Sequence, residues 1–144
     1  MKRLFAPESM AGLFGLAFVV IGVAGFVPGL VDHYQQLGWW RSGSGAQLLG
    51  VFQVSILLNL VHLGFGTLGL LLARTTPTAR AYLSGGGAAY LALGVYGLLI
   101  DRAGGWNVFP VDRADDWLHL GLGIGMLYAG LAAALPGLRP APSS

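Results

Sequence analysis

The sequence contains no cysteine and very little charge. Of its 144 residues, 10% are Asp, Glu, Lys or Arg, whereas 55% are hydrophobic. The lack of cysteine excludes disulfide bonds, thiolate metal sites and cysteine nucleophiles. Soluble domains carry about 25% charged residues, so this chain has too little charge to cover the surface of a soluble domain. The apolar excess therefore predicts a protein whose partner is the lipid bilayer.

Missing motifs narrow the function further. The sequence has no Gly-x-Ser-x-Gly or His-Glu-x-x-His motif, and no glycine loop between a strand and a helix that would bind a nucleotide. The net charge of +2 is small and scattered along the chain, which gives no sign of a nucleic-acid partner. We therefore expect a protein that is not an enzyme and does not bind nucleic acid.

The few charged residues cluster and leave four apolar windows, at 10–30, 55–73, 81–100 and 115–135. Each window has about 20 residues, and a helix of that length crosses a hydrocarbon core of about 30 Å. The windows predict four transmembrane helices in a single domain that spans the whole chain, 1–144. Residues 31–54 then form the first outer loop, which includes a segment at the membrane interface.

Lysine and arginine residues divide unevenly between the two sides of this predicted bundle. Five lie on the side of the termini (Lys2, Arg3, Arg74, Arg80, Arg139) and three on the other (Arg41, Arg102, Arg113). Because positive residues concentrate on the inner side, both termini are predicted to be cytoplasmic. All four tryptophans fall on the outer side, as an interfacial aromatic belt would place them.

Two parts of the sequence repeat. Residues 51–66 and 108–123, which are 57 positions apart, share Val-Phe-x-Val and then, after four residues, a segment that ends in His-Leu-Gly-x-Gly. A shorter match, Gly-Val-x-Gly, occurs at 22–25 and again 72 positions later at 94–97. These matches predict an all-α membrane fold, a four-helix bundle of two tandem two-helix hairpins related as parallel repeats.

Each repeat carries one histidine near the start of its second helix. At helical spacing, His62 shares a face with Gly66 and Gly69, and His119 shares one with Gly123 and Met126. A polar residue lies three positions before each histidine on the same side. Polar groups within a membrane usually face the bundle interior and often mark function. The candidate site is therefore an intramembrane polar cluster: Asn59, His62, Asp115, Asp116 and His119.

Two interpretations of the paired histidines remain open. In one, His62 and His119 face each other and bind a cofactor, either haem b through two imidazoles or a divalent metal with Asp115 or Asp116. In the other, neutral imidazoles only bridge helices through hydrogen bonds, each of which contributes about 0.6–2 kcal/mol. A duplicated hairpin copies its histidine in either case.

Small residues also recur at helical spacing. Gly121, Gly125 and Ala129 form a stripe on the fourth predicted helix, and Gly69 and Ala73 form one on the second. Lipid tails are as apolar as leucine, so membrane helices associate by close packing that small residues permit. We predict that these stripes are the packing surfaces of a tight bundle.

The motifs Val-Phe-x-Val, Asn-Leu-Val-His-Leu and Asp-Asp-Trp-Leu-His-Leu-Gly resemble an uncharacterised domain-of-unknown-function family of small four-span bacterial membrane proteins. The resemblance extends over 12–133. The family commonly has a further Asn and His where this chain has Ser55 and Leu58, and Asn where it has Asp112 and Asp116. The resemblance implies a protein of the bacterial cytoplasmic membrane and supplies no activity.

These observations favour a non-enzymatic integral membrane protein that serves as a structural or accessory subunit, in a homo-oligomer or a larger membrane complex. One alternative is a membrane protein that binds haem or a metal through its paired histidines. A further alternative is an oligomeric transport or permeation element, whose substrate site would lie between the repeats.

Overall fold

Four α-helices make up most of the chain in the computed structural model, which describes residues 5–40, 44–100 and 113–132. They are α1 (Pro7–Ala24), α2 (Ile56–Leu72), α3 (Thr76–Leu99) and α4 (Arg113–Ala132). Among the described residues, α1 and α3 are long and apolar enough to cross a membrane. The all-helical architecture with four helices is therefore confirmed.

The first helix lies earlier in the chain than the predicted window of 10–30. It starts at Pro7, whose fixed φ and missing N–H suit the first turn of a helix. It ends at Ala24, and residues 25–30 continue as hydrogen-bonded turns rather than as helix. The cause is Pro28, which has no N–H to donate and disfavours helical geometry at the residue before it.

The other helix starts follow from capping residues. The Ser55 hydroxyl accepts a hydrogen bond from the Leu58 N–H at 3.2 Å, so α2 begins directly after Ser55, the first residue of the predicted window. The Thr75 side chain caps α3, which therefore begins five residues before the predicted window. Arg80, which directly precedes the predicted window, lies within α3, and its Nε donates a hydrogen bond to the Gly130 carbonyl oxygen of α4 at 3.3 Å.

A small antiparallel β-meander lies between α1 and α2, where an interfacial loop over 31–54 was expected. Its strands β1 (Val31–Asp32), β2 (Gln47–Leu48) and β3 (Phe52–Gln53) have two residues each and pair in chain order. Leu49 and Gly50 both have positive φ, at 54° and 69°, and form the turn between β2 and β3. The meander buries a separate small core: Val31, Ala46, Leu48 and Val54.

The helices pack mainly as two hairpins, α1 with α2 and α3 with α4. Within each hairpin, glycines bring the two backbones together. A Cβ added at Gly66 would lie 2.6 Å from the Gly15 carbonyl oxygen, and one at Gly123 would lie 2.9 Å from the Gly87 carbonyl oxygen. Neither glycine could therefore become alanine without moving a helix.

The predicted stripe of Gly69 and Ala73 packs within the bundle, whereas the stripe on α4 does so only in part. On α2, Gly69 packs against the Tyr82 ring, and Ala73 meets Gly12. On α4, Gly121 faces open space, Gly125 lies near Phe14, and Ala129 packs against the main core. The buried glycines of α4 are Gly123 and Gly130. The helix α4 packs through the face that carries His119, as α2 packs through the face that carries His62.

The bundle buries small, aromatic and polar residues and exposes large aliphatic ones. Its main core consists of Ala11, Phe18, Ala79, Tyr82, Leu83, Tyr90 and Met126. The exposed large apolar residues on α1, α2 and α4 include Leu13, Leu16, Val20, Val23, Leu60, Val61, Leu68, Leu70, Leu71, Leu118, Ile124, Tyr128 and Leu131. The outside of this bundle is thus richer in aliphatic side chains than its inside.

Candidate functional site

The five residues predicted as a polar cluster lie at the end of the bundle that carries the β-meander. Asn59 and Asp116 are both 0% exposed, Asp115 and His119 are buried, and His62 is half-buried. His62, Asp115 and His119 line one cavity, whereas Asn59 and Asp116 are buried in the packing between helices. The structure thus brings three of the five residues around a common space.

Asn59 makes a hydrogen bond between two helices. Its Nδ2 donates a hydrogen bond to the Gly25 carbonyl oxygen at 2.7 Å, across 34 residues of sequence. Gly25 is the residue at the end of α1, so the bond satisfies a carbonyl that lies beyond the helix. A Cβ at Gly25 would collide with the Asn59 side chain. Asn59 therefore joins α2 to the end of α1, and a larger residue at position 25 would displace its side chain.

Each histidine ring contacts an aromatic residue of the preceding helix. The Phe18 and His62 rings are nearly parallel, with centroids 5.9 Å apart, and the Tyr90 and His119 rings are 5.3 Å apart. Phe18 and Tyr90 are in turn stacked on each other at 5.1 Å. The four rings form a continuous row from α2 through α1 and α3 to α4.

Phe18 and Tyr90 were not identified as site residues from the sequence. A signal for them was present, because the two positions differ by the same 72 residues that separate the Gly-Val-x-Gly matches. Applied to aromatic residues as well as to glycines, that offset pairs Phe18 with Tyr90 on the sequence alone.

The cavity next to this row has a volume of about 220 Å³. All four helices and the meander contribute to its walls, which are mostly apolar, and its polar lining residues are Gln53, His62, Asp115 and His119. Pockets for drug-sized ligands have volumes of about 300–1,000 Å³, and a haem is at least as large as such ligands. The cavity volume is therefore below the range of pockets for drug-sized ligands. Haem b binding by the paired histidines stays a prediction.

A metal site needs more ligands than the histidines supply. Zinc and copper sites usually have three or four protein ligands. Within the part of the chain that the structure describes, no three His, Asp or Glu side chains lie close enough together to hold a metal ion. His62, Asp115 and His119 thus share a cavity without forming a coordination site.

Hydrogen bonds hold the meander over the cavity. The Ser44 hydroxyl donates to the Val54 carbonyl oxygen at 2.6 Å, and the Gln53 Nε2 donates to the Ser44 carbonyl oxygen at 2.6 Å. The Val54 N–H donates to the Ala46 carbonyl oxygen at 3.0 Å. These bonds hold β3 in place. Because the residues of β3 line the cavity, the cavity has a defined cover.

Comparison with known proteins identifies a family. The family model described as Domain of unknown function (DUF4383) matches residues 9–132. The match covers most of the chain, so the chain belongs to this family, as the motif resemblance indicated. No curated protein and no solved structure matches the chain.

Proposed function

We propose that this member of the DUF4383 family is a four-span integral membrane protein of the cell membrane, with both termini in the cytoplasm. The observation that carries the proposal is the inside-out distribution of its side chains. Large aliphatic residues cover the outer faces of the helices, while glycines, aromatic rings and polar groups fill the interior. Soluble proteins rarely expose continuous apolar surfaces of this kind, whereas lipid-facing helices require them.

The contacts between helices support two equivalent hairpins as the building units. Gly15 meets Gly66 in the first hairpin, and Gly87 meets Gly123 in the second. The α1 and α3 positions differ by 72 residues and the α2 and α4 positions by 57, which are the offsets of the sequence repeat.

Two further pairs follow the same offsets. Phe18 with His62 corresponds to Tyr90 with His119, and Gly12 with Ala73 corresponds to Ser84 with Gly130. Tandem duplication of one hairpin accounts for all of these matches together. The two hairpins then have the same orientation in the membrane, as parallel repeats do.

The protein then serves as a non-enzymatic structural or accessory subunit of a membrane assembly. Two glycines on outer helix faces support this role. Gly64 and Gly121 are exposed, and a Cβ at either position would have no atom within 4 Å. The two positions correspond in the repeat, so the same small patch occurs on both hairpins. Exposed small residues on a membrane helix allow a partner helix to approach closely.

Single cysteines introduced into the cysteine-free chain test the membrane topology. In intact cells, a membrane-impermeant maleimide should label Gln35→Cys, in the loop after α1, and should not label Arg74→Cys, between α2 and α3, until the cells are permeabilised. Both residues are exposed, so neither position is hidden by protein. The unmodified chain, which has no cysteine, is the control and should remain unlabelled.

The reverse labelling pattern would refute the proposed orientation. Labelling of both cysteines in intact cells would refute the proposal that α1 and α2 span the membrane.

Co-purification in mild detergent tests the subunit role. The protein extracted at native abundance should migrate as an assembly larger than 15.0 kDa plus its micelle. Gly64→Leu and Gly121→Leu should each reduce the assembled fraction several-fold, because a leucine side chain prevents close approach of a partner helix. The matched control is Leu68→Ala on the exposed surface of α2, which should leave assembly intact. A protein that always migrates as a lone monomer would contradict the role.

A further inference from the structure

We propose that the cavity between His62 and His119 is a binding site for a small, uncharged, single-ring aromatic molecule that carries a hydroxyl group. This site goes beyond the structural role proposed above and does not depend on it. Cavity size, wall chemistry and the polar groups of the lining each restrict the ligand.

Size restricts the ligand to a single ring. Protein interiors are close-packed and have few voids larger than a water molecule, so a cavity of about 220 Å³ is a distinct feature of the fold. An apolar cavity of about 150 Å³ accommodates benzene. The cavity therefore has room for a benzene ring with one or two small substituents.

The walls favour an aromatic body. Phe18, Phe52 and Tyr90 line the cavity together with the two imidazoles, and the remaining walls are mainly aliphatic. Aromatic rings that pack in offset-stacked or edge-to-face arrangements attract each other beyond the effect of their buried area. The row of stacked rings thus offers a planar ligand a surface of matching shape.

The polar groups favour an uncharged hydroxyl. The His62 imidazole lines the cavity. A hydroxyl group can either donate to a bare imidazole nitrogen or accept from a protonated one, so it satisfies both tautomers. An anionic ligand would be desolvated in a mostly apolar space beside the Asp115 carboxylate, which is unfavourable.

The site is also built rather than accidental, because separate interactions hold its walls. Phe18, itself 1% exposed, lies parallel to His62 and fixes the orientation of the imidazole. Hydrogen bonds between Ser44, Gln53 and Val54 hold the meander that covers the cavity. A cavity with fixed walls does not collapse when empty, so a ligand enters without a large reorganisation cost.

Fluorine NMR of the full-length protein in detergent tests the site with three probes of one ring size. We expect 4-fluorophenol to bind, fluorobenzene to bind about 5–10-fold more weakly because one hydrogen bond is missing, and 4-fluorobenzoate not to bind. His62→Phe keeps a ring beside Phe18 but removes the nitrogen, so it should abolish the preference for the phenol. Leu122→Phe, which fills the cavity, should weaken both neutral probes at least several-fold.

Leu60→Phe on the exposed surface of α2 is the matched control for micelle partitioning and should bind the probes as the unmodified chain does. Equal affinity of the unmodified chain for 4-fluorophenol and fluorobenzene would overturn the proposal. The proposal would also be overturned if Leu122→Phe kept the melting temperature of the unmodified chain and still bound 4-fluorophenol with the same affinity. If that variant does not fold, the His62→Phe comparison decides the question by itself.

An absorption spectrum of the natively purified protein provides an independent check. A Soret band that disappears in both His62→Ala and His119→Ala would show that haem occupies the histidines and would overturn the phenol site. Loss of the phenol site would leave the four-span topology unaffected, since cysteine labelling measures that topology separately.

Discussion

Replacing Gly66 with alanine is expected to destabilise the protein severely, whereas replacing Gly64 with alanine should be neutral or slightly stabilising. The new Cβ at Gly66 would lie 2.6 Å from both the Gly15 carbonyl oxygen and the Val19 nitrogen. Both atoms belong to the backbone, so relief requires α1 to move away from α2. Overpacking of this kind costs about 1–3 kcal/mol, and occasionally more.

Gly64, the matched position, differs from Gly66 only in its surroundings. Gly64 is two residues earlier on the same helix, and its Cβ would meet no atom within 4 Å. Alanine at an open helix position gains up to about 1 kcal/mol over glycine. The second hairpin repeats the comparison, with Gly123 packed against Gly87 and Gly121 open. The same pair of substitutions there should give the same contrast.

Thermal unfolding in detergent, followed by size-exclusion chromatography after heating, measures the contrast. We expect Gly66→Ala and Gly123→Ala to lower the melting temperature by several degrees or to prevent recovery of folded protein. Equal melting temperatures for Gly66→Ala and Gly64→Ala would show that backbone contact between α1 and α2 does not hold the bundle together.

Phe18→Ala is expected to produce the second large loss, of about 3–5 kcal/mol. Phe18 is 1% exposed, and its ring contacts the rings of His62, Phe65 and Tyr90. Its removal interrupts the row of rings and opens the space that it fills into the adjoining cavity. Surrounding helices held by glycine contacts cannot collapse into that space, so most of the cavity cost remains.

Leu16→Ala is the control for this prediction, since Leu16 lies on the same helix and is exposed. Its truncation removes little contact with the core and should change the free energy of unfolding by less than about 1 kcal/mol. Melting temperatures of the two variants in one detergent give the comparison. If Leu16→Ala proves as damaging as Phe18→Ala, then the exposed face of α1 is covered by a protein partner.

Much of the helical organisation could be predicted because it depends on local and periodic properties. The spacing of His62 with Gly66 and Gly69 predicted one face of α2, and the structure buries both glycines on that face. Likewise Gly123 and Met126 are buried on the face of His119. Helical periodicity makes such faces readable from the sequence, since residues three, four and seven apart lie on one side.

Other features depended on contacts that local patterns do not contain. The α4 stripe of Gly121, Gly125 and Ala129 has ideal spacing but does not carry the closest packing, because the orientation of α4 is determined by what faces it on α3. The end of α1 at Ala24 is set by Pro28, whose effect was hidden inside an uninterrupted apolar window.

The sequence by itself determined four helices, the interior faces of α2 and α4, and membership of the family. Composition and periodicity suffice for these because each depends on neighbours within a few positions. Only the tertiary structure decided that Phe18 and Tyr90 stack between the histidines and that the space beside them is about 220 Å³. Ring contacts and cavity volumes depend on how separate helices approach one another, to within a fraction of an ångström, and no local sequence pattern specifies that distance.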